Sequence, residues 1–116
     1  MRRTASILAL AFLLLLLGCG KDPETQTDAE LGLNAQQSHG RRVYKIYCAS
    51  CHSAYSSKGL KGPSMKGLYK KQYLPSGLIA NDQFVQQSIV RGRNMMPAIP
   101  VTQQELEDLI AYLRTL

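Results

Sequence analysis

The chain has 116 residues and carries 14 Lys+Arg against 8 Asp+Glu, a formal net charge of +6. That length suits one domain and leaves little room for a second. The apolar run from Ala5 to Leu17 has 13 residues, short of the roughly 20 that a membrane-spanning helix needs. It follows Met1-Arg2-Arg3 and closes on Gly18. Positive, apolar, small is the build of a secretory signal.

The end of that run, Leu16-Leu17-Gly18-Cys19, resembles the lipobox of bacterial lipoproteins. The resemblance implies cleavage before Cys19, removal of residues 1–18 as a signal peptide, and a lipid on Cys19. The alternatives are an uncleaved anchor or a signal whose cysteine is incidental. On the lipoprotein reading the domain is exported and anchored to a membrane, periplasmic or on the outer face. Gly20 stands where an aspartate would favour inner-membrane retention, which leaves the outer membrane open. Residues 19–34 carry Asp22, Glu24, Asp28 and Glu30 against one lysine, with few large apolar side chains. They read as a flexible acidic tether, spanning about 20 Å as a random coil. From Ala35 onward 11 Lys+Arg face 4 Asp+Glu, so residues 35–116 form a basic domain. An exported chain with no nucleic-acid motif is not a nucleic-acid binder. The charge points instead to acidic partners or anionic surfaces.

Ser38 opens a helical stretch to Tyr47, with Val43, Tyr44 and Tyr47 at three- and four-residue steps. Directly after it stands Cys48-Ala49-Ser50-Cys51-His52, the attachment signature of c-type haem. Each thiol adds to one porphyrin vinyl group, and a two-residue gap lets both thioethers form from one helical turn. The histidine that follows reaches the iron from the proximal face. A domain of about 80 residues is marginal on core burial alone and needs a staple. A thioredoxin-like pair would want a βαβ context, which is missing around Tyr47. A zinc site needs four ligands, and only His39 stands beside the motif. A Cys48–Cys51 disulfide would be strained.

From Ser53 to Pro75 the glycines and prolines predict loop, with one short helix near Met65 to Lys70. Asn81 or Asp82 caps a helix that runs to Arg91 and ends at Gly92, with Val85 and Ile89 on one face. The loop after it holds Met95-Met96-Pro97, and Met96 comes 44 residues after His52. That distance is enough to bring a thioether to the other face of a haem, and His/Met ligation is an arrangement of electron carriers. Thr102 and Glu105 form a capping box for a helix over Gln103–Leu113, whose stripe is Leu106, Leu109, Ile110 and Leu113. No segment alternates as a strand. The expected class is all-α.

With these motifs together, the chain from about Ala35 to Leu116 resembles the small class I bacterial cytochromes c, which carry one haem. Besides the attachment motif, three stretches support the resemblance: Gly62-Pro63-Ser64-Met65-Lys66-Gly67-Leu68, Met95-Met96-Pro97 and the closing helix. It implies first and last helices crossed around one covalent haem c, with Gly40, Tyr44, Leu109 and Tyr112 at the crossing. It implies that the Pro63 carbonyl accepts the His52 N–H, and that Met96 is the second axial ligand of the iron. Met95 is the runner-up, and Met65, where the family has leucine, is a weaker rival. His39 is expected as a solvated surface residue, with ligation as its alternative.

The function so implied is electron transfer, one electron at a time, by a monomer with no catalytic residue. A peroxidase-type haem enzyme and a haem-based sensor are the rival readings, and both need an open sixth position. Expected partners are redox proteins with acidic docking surfaces: a quinol-oxidising complex or dehydrogenase as donor, a terminal oxidase or reductase as acceptor. Lys58, Lys61, Lys66, Lys70, Lys71, Arg91 and Arg93 would form a basic rim that steers them.

Overall fold

The structure is a computed structural model that describes residues 20–116; Cys19 and residues 1–18, expected as a signal peptide, lie outside the described residues. Helix α1 (Ala35–Tyr47) starts where Asn34 Oδ1 accepts the Gln37 N–H at 2.8 Å and Gln37 Oε1 accepts the Asn34 N–H at 3.0 Å. These bonds satisfy donors that a helix start leaves open. The helix begins ahead of the expected Ser38 because its first turn is polar, so apolar spacing has nothing there to mark. A 3₁₀ turn, Leu68–Lys70, takes the place of the short helix expected from Met65. Helix α2 (Asp82–Arg91) is capped by the Asn81 side chain, which accepts the Phe84 N–H, and ends at Gly92 with φ +71°. Helix α3 (Gln103–Leu113) opens with the Thr102–Glu105 capping box. Among the described residues β pairing is limited to two isolated bridges, Tyr73–Ile79 and Arg93–Met96. The architecture is all-α.

Helices α1 and α3 cross at Gly40. A Cβ there would lie 1.9 Å from the Asp108 carbonyl oxygen and 2.9 Å from Tyr112 Cβ, so the axes approach only because that atom is missing. Tyr44 and Tyr112 meet edge to face across the crossing, with centroids 5.5 Å apart and planes at 63°, as ring quadrupoles favour. Val43, Leu106, Leu109, Ile110 and Leu113 are buried around them, and α2 adds Val85 and Ile89. His39 is not free in solvent. It is half-buried, and its Nδ1 meets the carboxylate of buried Asp108, to which Gln104 Nε2 also donates. The crossing brings that carboxylate to it.

The segment read as a flexible tether turns back onto α1. Arg41, only 3% exposed, donates to the Asp28 carboxylate at 2.7 Å and to the Gln26 carbonyl at 2.9 Å. Around it, Thr25 and Leu33 N–H groups close turns on Asp22 and Asp28 carbonyls, and Leu33 packs against the core. The tether argument weighed apolar burial alone. It missed that a buried arginine needs an anion and carbonyls to partner it. Arg41 holds the Asp28 carboxyl below its ordinary 3.8.

Candidate functional site

The Cys-x-x-Cys-His motif continues the α1 spiral as one more turn. Cys48 N–H donates to the Tyr44 carbonyl at 2.8 Å, Cys51 N–H to the Cys48 carbonyl at 3.0 Å, and His52 N–H to that same carbonyl at 2.9 Å. Three-residue spacing on such a turn sets both sulfurs on one side, and both are free thiols. Burial, and then the neighbouring Cys51, push the Cys48 thiol up to about 11, so it stands as a thiol at neutral pH. Tyr44 Oη donates to the His52 carbonyl at 2.6 Å, tying the end of the motif back to the buried crossing. Burial raises the Tyr44 phenol well above its ordinary value, so it keeps the proton it donates.

The second wall of the site is the Gly62–Met65 strip. Gly62 N–H donates to the Cys51 carbonyl at 2.8 Å and Met65 N–H to the Ser53 carbonyl at 2.9 Å. These bonds bring the Pro63 carbonyl oxygen within 2.7 Å of His52 Nδ1. A carbonyl only accepts, so Nδ1 carries the proton and Nε2 keeps its lone pair for a metal. A Cβ on Gly62 would fall 2.4 Å from His52 Cε1 and 2.8 Å from Nδ1. The imidazole lies flat against the place where that side chain would be.

The methionine loop is a two-residue turn. Arg93 and Met96 exchange backbone hydrogen bonds, each 2.9 Å, with Asn94 at φ +52° and Met95 forming the tip. Gly92 anchors it: a Cβ there would lie 2.6 Å from the Met96 carbonyl oxygen and 2.7 Å from Ala98 N. Met96 is half-buried against the core, as is Met65, whereas Met95 is 96% exposed. All seven basic side chains of the expected rim are exposed, and Lys70 Nζ also donates to the Leu116 carbonyl.

Cys48, Cys51, His52 and Pro63 thus come together in one place, with Tyr44 and Gly62 supporting them. Neither supporting role was read from the sequence. The signals were there: a tyrosine on the helix face that carries Cys48, and a glycine immediately before Pro63. An open depression of about 520 Å³ lies on α2 against Gln83, Gln87 and Arg91, and none of the motif residues lines it. Two thiols one turn apart beside an imidazole with a free Nε2 fit a haem c, which takes two thioethers and an axial nitrogen.

Residues 35–113 match the family model described as "Cytochrome C oxidase, cbb3-type, subunit III". A "Cytochrome c-553-like" protein of Synechocystis sp. is 26% identical over 112 residues, 97% of this chain and 99% of the relative. "Cytochrome c oxidase subunit 2" of Alkalihalophilus pseudofirmus is 31% identical over 87 residues, which are 68% of this chain but 25% of that subunit. The match begins at the first residue of α1 and ends at the last of α3. Crossed helices, attachment motif and matched span agree: the chain belongs to this family of c-type cytochromes, with the small all-α cytochrome c fold and one covalent haem c.

Proposed function

We propose that the protein is an electron carrier in which Cys48 and Cys51 hold the haem and His52 and Met96 ligate its iron. The observation that carries this reading is the Nδ1–H of His52 fixed on the Pro63 carbonyl at 2.7 Å, which leaves Nε2 as the ligating atom. Bound haem supplies one-electron exchange between Fe(II) and Fe(III), with His/Met ligation raising its potential. The chain's part is to hold the ligands still. Tyr44 fixes the His52 backbone, Pro63 fixes its ring, and the Arg93–Met96 turn fixes the methionine. Small movement at the ligands keeps the cost of gaining or losing an electron low. Met96 is preferred to Met95 because it points its side chain to the core while Met95 lies in solvent.

The basic, exposed Lys58, Lys61, Lys66, Lys71, Arg91 and Arg93 suit redox partners with acidic faces. A terminal oxidase as acceptor accords with the oxidase names among the relatives, and a quinol-oxidising complex or dehydrogenase would be the donor. The lipobox-like Leu16–Cys19 supports export, with a lipid on Cys19 holding domain 35–116 at the outer side of a membrane. The test is the spectrum of the matured holoprotein, reduced, with and without carbon monoxide. A low-spin c-type spectrum unmoved by carbon monoxide is expected, in a protein that begins at Cys19 and whose intact mass shows lipid added to that cysteine. A clear shift would return the peroxidase and sensor readings, and a chain without added lipid mass on Cys19 would sink the lipid anchor.

A further inference from the structure

We propose that Met95 is a sacrificial modification site: it takes up oxygen from hydroperoxides ahead of Met96, its neighbour in the chain. This rests on the reading of Met96 as the iron ligand. Three methionines lie among the described residues, and they differ sharply in access. Met65 and Met96 are half-buried and pack against the core, whereas Met95 is 96% exposed at the tip of the Arg93–Met96 turn. The turn makes the difference. Mutual Arg93–Met96 hydrogen bonds and the positive φ of Asn94 turn Met96 inward and leave Met95 outside.

The chemistry follows from access. A thioether sulfur attacks the O–O bond of a hydroperoxide. An S=O bond forms as the O–O bond breaks, and the remaining oxygen takes up the proton of the transferred one and leaves as water or an alcohol. Sulfur is oxidised by two electrons and the peroxide is reduced by two. The product is polar. At Met95 the new oxygen meets solvent, so the fold loses no packing there. At Met96 the same oxygen would enter the packed edge of the core and alter the ligating sulfur. A solvated methionine beside a ligating one therefore accepts the oxygen harmlessly, and methionine sulfoxide is reducible.

The experiment exposes the ferric holoprotein to one equivalent of hydrogen peroxide and maps oxygen uptake by peptide mass. The weak long-wavelength absorption of thioether-ligated ferric haem is followed at the same time. Met95 is expected to gain one oxygen at least about tenfold ahead of Met96 and Met65, with that band unchanged. In Met95→Leu the same peroxide is expected to fall on Met96 and erase the band. Oxygen on Met96 or Met65 as fast as on Met95, or a Met95→Leu protein no more sensitive than the parent, would overturn the proposal. Loss of the band with oxygen on Met95 alone would overturn both this and the Met96 assignment. Fast oxygen uptake at Met95 in a protein that never shows the band would sink the Met96 ligation and, with it, the guarding role.

Discussion

Gly62 lacks a side chain where the His52 ring needs the room. With Cβ positions at 2.4 and 2.8 Å from ring atoms, an alanine must push the imidazole or the strip that carries Pro63, and the Nδ1–Pro63 bond is the first contact to suffer. Overpacking of this kind costs about 1–3 kcal/mol. Gly62→Ala is expected to lower holoprotein stability by that amount in denaturant titration and to make the reduced spectrum sensitive to carbon monoxide. Unchanged stability and spectrum would show that the ring has room to move. At this scale the sequence was most legible where chemistry fixes spacing. Cys48, Cys51 and His52 stand at the spacing that two vinyl groups and one iron would demand, and the structure brings them together on one turn. Gly62 and Tyr44 act through contacts between segments, and single-chain spacing does not encode those.

Among the elements, α2 and α3 were read from the sequence almost to the residue, because Asn81 and Thr102 are caps followed at once by apolar spacing. The start of α1 was missed since its cap, Asn34 with Gln37, precedes a polar turn. The family resemblance implied a close α1–α3 crossing with Gly40 at it. A Cβ 1.9 Å from a backbone oxygen cannot be absorbed by a rotamer change, so the helices must part. Gly40→Ala is expected to destabilise by about 3 kcal/mol or slightly more, at the upper end of overpacking costs. It would also loosen the Tyr44–Tyr112 contact, which thermal unfolding with near-ultraviolet circular dichroism would register together. Helix propensity alone would make the alanine more stable by about 1 kcal/mol, so the absence of any net cost would mean that the crossing is looser than it stands here.

Over the whole molecule, charge ties parts that apolar contacts leave loose. Arg41 with Asp28 holds residues 22–33 to α1, His39 with Asp108 joins α1 to α3, and Arg114 with Asp82 joins the end of α3 to α2. Arg41, His39 and Arg114 respectively lower the carboxyls of Asp28, Asp108 and Asp82 from 3.8. A carboxyl lowered on folding adds stability that is complete above about pH 5 and is lost as pH falls through its unfolded value towards its folded one. Asp28→Asn leaves a buried guanidinium short of its anion and is expected to cost about 1–2 kcal/mol, allowing for the partial exposure of Asp28. The loss should appear at neutral pH, begin to shrink as acidification below about pH 4 protonates the unfolded chain, and vanish only once the lowered folded-state carboxyl takes up its own proton. An equal loss at both pH values would assign the effect to packing instead of charge.

The folded-back segment also shortens the leash. Once residues 22–33 lie on α1, only Gly20 and Lys21 separate Cys19 from the folded body. Three extended steps reach at most about 10 Å. A lipid on Cys19 would then keep the domain almost against the bilayer, so that a partner has to come to it at the membrane surface.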